Sequence, residues 1–337
     1  MTLSSTTYLL AFVGAFMATA CSLPLWRILC RRINLVDDPG HRKIHHTPIP
    51  LAGGLAVATG LIAPLLTAWV WLTLTSTNSE GISHPLLDPN SAFALNYGFG
   101  RRARELTGIL AGALGMLLVG CLDDRFELKP LPKFGGQLLV ALLVAACGVR
   151  ITLFVPSALF SLVVSVLWIL TVINAFNFMD NMNGLCGGLG FIAAATFGGI
   201  AAFHGQYLVA LLAFLTTGAL LGFLPYNFPR AKVFLGDGGS HLVGYLLAVL
   251  AILPHFHTPE HPNRLAVLTP LFVLGVPLVD LVWVVILRWR LGKPFYHGDT
   301  NHLSHRLVRL GLSQTNAVIV IWVIALFLSS CSLLFGG

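Results

Sequence analysis

Residues 156–203 read PSALFSLVVSVLWILTVINAFNFMDNMNGLCGGLGFIAAATFGGIAAF, two apolar runs (156–174 and 184–203) on either side of a short polar stretch. Each run approaches the roughly 20 mostly apolar residues that cross a hydrocarbon core. The same criterion, applied outward along the chain, finds eight more runs at about 7–29, 51–74, 106–122, 135–150, 207–224, 240–256, 265–287 and 315–335. In a chain of 337 residues, 56 % hydrophobic and 10 % charged, this is far more apolar material than one soluble core needs. The expected fold is therefore an all-α integral membrane protein of about ten transmembrane helices, a single polytopic membrane domain over 1–337. The six cysteines, Cys21, Cys30, Cys121, Cys147, Cys186 and Cys331, form no CxxC pair and indicate neither a disulfide framework nor a zinc site. The first apolar run has no basic residue before it and no small-residue cleavage site, and reads as a retained span.

Ten crossings divide the loops into two sets, and the positive-inside rule orients them. One set holds Arg27, Arg31, Arg32, Arg42, Lys43, Arg125, Lys129, Lys133, Arg230, Lys232, Arg288, Arg290, Lys293, Arg306 and Arg309, fifteen of the twenty Lys and Arg. That set is read as cytoplasmic and both termini as outside. The net charge of +7 is thus an orientation signal, not a footprint for nucleic acid. The local exception is the triplet Arg101, Arg102 and Arg104: either it lies in an interfacial segment after the 76–100 loop, or one crossing is misplaced.

The acidic residues Asp37, Asp38, Asp123, Asp124, Glu127, Asp180, Asp237 and Asp299 fall on the same side, several at the end of a span. Ionisable groups there are costly unless they meet water, a partner or a ligand. Because basic residues share those loops, a polar cavity binding a metal and an anionic substrate together is expected. The motif loops are about 30–50, 123–135, 175–184, 225–239 and 288–314. In Gly120-Cys-Leu-Asp123-Asp124-Arg-Phe-Glu-Leu-Lys-Pro-Leu-Pro-Lys133, the paired carboxylates point about 100° apart on a helix and can take different roles. One would hold Mg²⁺ or a proton while the other orients it. A solvated helix end is the plain alternative.

Asn174, Asn177, Asp180 and Asn183 recur every three residues, a polar stripe suited to a nucleobase, a sugar or a hydrated metal, or to interhelical hydrogen bonds. In Phe234-Leu-Gly236-Asp237-Gly238-Gly239-Ser240, the glycines would let backbone N–H groups approach a phosphate, with Ser240 capping the next span and free donors at its N-terminus. Gly-Asp-Gly-Gly is also ordinary turn chemistry. His302 and His305 share a face if 302–306 is helical, with Arg306 beside them to grip phosphate. The first loop, with His41, Arg42, Lys43, His45 and His46, adds cations that attraction to lipid headgroups would also explain.

In order and spacing these loops resemble the polyprenyl-phosphate N-acetylhexosamine-1-phosphate transferases, the group of the bacterial WecA and TagO enzymes and, more distantly, MraY. The resemblance covers about residues 30–310. It implies Mg²⁺-dependent (alternatively Mn²⁺-dependent) transfer of N-acetylhexosamine 1-phosphate, with GlcNAc the expected sugar, from a UDP-sugar to undecaprenyl (polyprenyl) phosphate. UMP is released at the cytoplasmic face of a bacterial inner membrane, and the product starts a cell-envelope glycan such as lipopolysaccharide or teichoic acid. The family's aspartate pair matches Asp123 and Asp124, its metal-binding aspartate matches Asp237, its asparagine stretch matches Asn174, Asn177 and Asp180, and its C-terminal histidine motif matches His302 and His305.

On that basis Asp123, Asp124 and Asp237 are the catalytic candidates. Asp237 and Asp123 are the metal ligands, and one of Asp123 and Asp124 is the base for the lipid phosphate. Lys43, Lys133, Asn174, Asn177, Asp180, Asn183, Phe234, His302, His305 and Arg306 are the substrate-binding candidates. Expected partners are the UDP-sugar, the polyprenyl phosphate and the bilayer, with no nucleic acid and with room for a homodimer. The chain differs from the family in having Asn183 where a second Asp is usual, Ser304 where a His is usual, and Leu51-Ala52 before the first Gly-Gly pair. A non-catalytic member that binds lipid phosphate remains an alternative. So does a secondary transporter, although that would place its polar residues near the bilayer midplane.

Overall fold

The computed structural model describes residues 3–38, 47–76, 89–152, 155–254, 256, 264–294, 296 and 299–334. The helices, in chain order, are α1 (Ser5–Arg32), α2 (Gly53–Ser76), α3 (Pro89–Arg101), α4 (Ala103–Phe126), α5 (Pro130–Ala146), α6 (Ala158–Met179), α7 (Leu185–Phe203), α8 (Tyr207–Asn227), α9 (Gly236–Ile252), α10 (Thr269–Val273), α11 (Gly275–Arg290), α12 (Leu303–Arg309) and α13 (Gln314–Ser332). Between α1 and α2, the two-residue strands β1 (Val36–Asp37) and β2 (Ile49–Pro50) pair antiparallel.

Seven of these helices, α1, α2, α4, α6, α7, α8 and α13, are long and apolar enough to cross a membrane. The expected ninth span is not one straight helix. Residues 265–273 and α11 meet at a bend of 72°, and the pair makes an eighth candidate. Pro277 lacks the N–H that would bond back to the carbonyl of Val273, and Pro270 and Gly275 flank the break, which is enough to part a helix there. The remaining two expected spans coincide with the shorter apolar helices α5 and α9. α5 begins five residues before the expected position, because Pro130 falls at its first turn, where a missing N–H costs nothing.

α9 is the axis of the bundle. It packs against α2, α4, α6 and α7, and its side chains from Gly238 through Ala251 are buried all round. Such close approach depends on glycine. A Cβ on Gly120 of α4 would lie within 2.5 Å of Gly238 Cα and still closer to the Asp237 carbonyl. Gly120→Ala should therefore push α4 off α9. A cost of about 1–3 kcal/mol is expected, read as a lower midpoint of heat denaturation in detergent, and an unchanged midpoint would show that the contact is loose.

The outer surface carries Leu118, Leu139, Leu167, Val279 and Phe327, each more than half exposed. In water such a surface would be an aggregation patch. Around a belt of long apolar helices it is the face that meets lipid. The segment expected to be a loop before the arginine triplet holds α3 instead. It buries Ala92, Leu95 and Gly98 while exposing Phe93, Tyr97 and Arg101, the pattern of a helix lying along an interface.

Candidate active site

α4, α5, α6 and α9 bring their polar ends to one place. Lys133, in the first turn of α5, lies with Nζ 2.6 Å from Asp123 Oδ2 and 2.9 Å from Asp237 Oδ2, bridging carboxylates 114 positions apart in the chain. Asn177, on the last turn of α6, donates from Nδ2 to Asp237 Oδ1 at 2.6 Å and to Ser240 Oγ at 3.0 Å. One helical turn further into the bundle, Asn174 Nδ2 donates to Gln137 Oε1 at 3.0 Å. With that oxygen accepting, the Gln137 amide N–H points at His241 Nε2, 3.2 Å away, so His241 is unprotonated at Nε2. His241 is wholly buried and its Nδ1 has no partner among the described residues. Nothing in the spacing pointed to His241.

The two carboxylates of the aspartate pair turn to different partners. Asp123 faces Lys133 and also accepts the Leu128 N–H at 2.8 Å. Asp124 turns the other way, to the start of α9, where Oδ1 accepts the Asp237 N–H at 2.8 Å and Oδ2 the Gly238 N–H at 3.0 Å. Two expectations are corrected here. Two of the donors at this helix N-terminus, the N–H groups of Asp237 and Gly238, are not free, because the carboxylate of Asp124 takes them. Nor is Ser240 a cap: α9 starts at Gly236, with φ +73°, and Ser240 already lies in its second turn. The glycines instead admit close packing, since a Cβ on Gly236 would meet Asp124 Oδ2 at 2.7 Å.

Asp180 ends α6, and its carboxyl is raised well above the usual carboxylate range by burial first and then by the charges of Asp237 and Asp124. It therefore belongs to the same electrostatic cluster. Asn183 does not continue the stripe. The helix stops at Met179, so the three-residue spacing loses its geometric meaning, and Asn183 Nδ2 donates to Pro229 O at 3.3 Å, on the turn after α8. Gly184, at φ +78°, holds that turn with its N–H on Asn227 Oδ1.

The first loop reaches the site through its backbone. Phe234 N bonds Pro50 O at 3.0 Å, while Gly53 N and Gly54 N bond the carbonyls of Phe234 and Leu235. Lys43 lies outside the described residues. The histidine loop joins from α6: Ser304 Oγ lies 2.6 Å from Asn181 Oδ1, and the rings of His302 and Phe178 meet edge-on at 5.5 Å. His302 precedes α12 in an extended conformation, so it does not share a helical face with His305. Its Nδ1 lies 2.7 Å from Asp280 Oδ2, and Asp280 Oδ1 accepts the Leu303 N–H at 2.6 Å.

Asp280, 3 % exposed, is the anchor of this loop and was missed, because a single Asp inside an apolar run has no motif around it. Arg288, 1 % exposed, holds Asp299 at 3.0 Å and lies 4.9 Å over the Phe178 ring. Against the burial that would raise it, the Arg288 guanidinium and the Asn301 N–H keep the Asp299 carboxyl below its ordinary range. The pKa of the His305 imidazole is also lowered, by burial and then by neighbouring His302 and Arg309. Arg306 is exposed and lies over Trp283 at 4.8 Å.

Together these contacts define the class: a helical membrane protein with a half-buried site of carboxylates, amides and one ammonium gathered at a common end of its helices. A family model for glycosyl transferase family 4 matches residues 106–255, which hold Asp123, Asp124, Lys133, Asn177 and Asp237 but not the histidine loop. The chain is 30 % identical over 327 residues to a Bacillus subtilis (strain 168) protein named probable undecaprenyl-phosphate N-acetylglucosaminyl 1-phosphate transferase, covering 95 % of this chain and 82 % of that one. It is 31 % identical over 323 residues to the decaprenyl-phosphate N-acetylglucosaminephosphotransferase of Mycobacterium tuberculosis (strain ATCC 25618 / H37Rv), covering 88 % and 74 %. It is 27 % identical over 338 residues to the undecaprenyl-phosphate alpha-N-acetylglucosaminyl 1-phosphate transferase of Escherichia coli (strain K12), covering 96 % and 82 %. The chain belongs to this family of polyprenyl-phosphate N-acetylglucosamine-1-phosphate transferases.

Proposed function

We propose that this protein transfers GlcNAc 1-phosphate from a UDP-sugar to a polyprenyl phosphate, releasing UMP, as the first step of a cell-envelope glycan. The observation that carries the reading is the convergence of Asp123, Asp237, Lys133 and Asn177 at the mouth of a membrane bundle. An oxygen of the lipid phosphate forms a bond to the sugar-bearing phosphorus, the diphosphate P–O bond breaks, and UMP leaves with its electrons. Both reactants are anions, so catalysis consists mainly of positioning and charge neutralisation.

The donor set suits Mg²⁺, or Mn²⁺ in its place. Asp123, Asp124, Asp180 and Asp237 supply hard carboxylate oxygens, and among the described residues a single nearby ammonium offsets them, so the cluster there is short of positive charge. Among the described residues no three such side chains already converge on one point, and Lys133 occupies the place between Asp123 and Asp237. Asp237 and Asp123 would hold the cation, which when bound neutralises the donor diphosphate. Lys133 is then free to turn its ammonium to a phosphate oxygen. Asp123 is the better placed of the pair to act as base for the lipid phosphate, because Asp124 is committed to the α9 backbone. His305 and Arg306 face phosphate, with His302 fixing their loop through Asp280. Asn174 acts through Gln137, and Phe234 sets the rim.

The whole chain forms one membrane domain in the bacterial inner membrane. The site lies on the cytoplasmic face and both termini lie outside, a reading supported by the fifteen-to-five split of Lys and Arg. The acceptor then enters sideways from the bilayer. Purified protein given radiolabelled UDP-GlcNAc and undecaprenyl phosphate should move label into organic-extractable lipid. No transfer with any UDP-hexosamine would favour a member that only binds lipid phosphate.

Asn183 offers a narrower test. Its Nδ2 bonds Pro229 O, which leaves its amide oxygen for a ligand, and such an oxygen accepts a nucleobase N–H without a charge. A charged acceptor makes the stronger bond, by about 1 kcal/mol. Asn183→Asp should lower the donor KM about fivefold, with the cation requirement unchanged. An unchanged KM with a large fall in kcat would move Asn183 to the chemistry.

A further inference from the structure

The arginine triplet that broke the charge rule in the sequence has no part in the aspartate site. It lies at the opposite end of α4. Glu105 and Asp124 are separated by nineteen residues of that helix, about 28 Å at 1.5 Å per residue. There, α3, the start of α4 and the start of α8 enclose a half-open cavity of about 260 Å³. Its rim carries Arg101, Arg102, Tyr97 and Tyr207, and its floor is apolar, formed in part by Ile109 and Leu212.

The rim is built rather than incidental. Arg101 Nη1 donates to the Tyr97 hydroxyl at 2.7 Å, with its guanidinium 5.9 Å from that ring, and Arg102 Nη1 reaches Glu105 Oε2 at 2.7 Å. Among the described residues, two guanidiniums against one carboxylate leave positive charge at the mouth, and each keeps N–H donors beyond these contacts. Arg104 turns away to the Ala146 carbonyl at 2.8 Å. An anionic head above an apolar floor matches this polarity, and the cavity is smaller than the roughly 300–1,000 Å³ that encloses a whole drug-sized ligand. It fits a headgroup and the first part of a chain, with the remainder lying along the exposed apolar flank of the bundle. α3, with Phe93 and Tyr97 stacked and exposed, lies where aromatic side chains anchor at a headgroup layer.

We propose that this cavity binds the phosphate headgroup of an anionic phospholipid in the leaflet opposite the aspartate site, held by Arg101 and Arg102 over the floor of Ile109 and Leu212.

The test uses the full-length protein in detergent micelles, with phosphatidylglycerol, phosphatidylcholine or inorganic phosphate added, and reads the midpoint of heat denaturation against concentration. Phosphatidylglycerol should raise the midpoint at lower concentration than phosphatidylcholine. The double variant R101Q/R102Q should need about fivefold or more phosphatidylglycerol for the same rise. Both arginines are exposed, and the variant's own midpoint without lipid, together with undiminished sugar-phosphate transfer, verifies that it is folded. Three results would overturn the proposal: equal response to the two lipids, an unaltered response in the variant, or an equal rise with inorganic phosphate, which would make the site one for a free anion.

Discussion

Asp237→Asn should lose transfer activity by about a hundredfold to a thousandfold or more, while the protein still inserts and purifies. The carboxylate meets Lys133 Nζ at 2.9 Å and Asn177 Nδ2 at 2.6 Å, so it is the point where α5, α6 and α9 exchange polar contacts. An amide there removes the charge that the proposed cation and the ammonium both need. The fold depends on it less. Lys133 keeps its contact with Asp123 at 2.6 Å, and an acid in the first turn of a helix contributes about 0.3–1 kcal/mol. Initial rates across a Mg²⁺ titration decide the matter. Full, cation-dependent turnover in the variant would place the metal site elsewhere.

The second large effect falls on stability. Asp124→Ala removes the acceptor of two backbone N–H groups at the start of the most deeply buried helix. Bonds to a charged acceptor are each worth about 1.5–3 kcal/mol, and a buried donor left unpaired carries its desolvation cost as well. A loss of about 3 kcal/mol or more is expected, with a matching fall in the midpoint of heat denaturation. Asp124→Asn keeps one acceptor oxygen but turns an N–H toward the other donor, so it should recover only part of that loss. If Asp124→Ala melted like the wild type yet were inactive, Asp124 would belong to the chemistry and not to the scaffold. The neighbouring Asp123 gives the contrast. Its side chain faces Lys133, so Asp123→Asn should change turnover more than melting.

The sequence by itself determined the membrane character, the positions of most apolar helices and several of the residues that gather in the candidate site. Apolar length and the spacing of charges are one-dimensional properties, and a bilayer reads them directly. Asp123, Lys133, Asn177 and Asp237 were all legible as candidates for this reason, each lying where an apolar run ends. Which of them touch was settled only by tertiary structure. Residues 123 and 124 look equivalent in the chain, and it is the packing of α4 on α9 that sends one carboxylate to Lys133 and the other to two backbone N–H groups. Asn183 looked like a fourth member of a stripe, until the end of α6 at Met179 carried it to Pro229. Asp280 and His241 gave no signal at all, since an isolated polar residue in an apolar run takes its meaning from the helix that comes to lie beside it. Their partners, His302 and Gln137, stand 22 and 104 residues away, a distance that only the folded bundle closes.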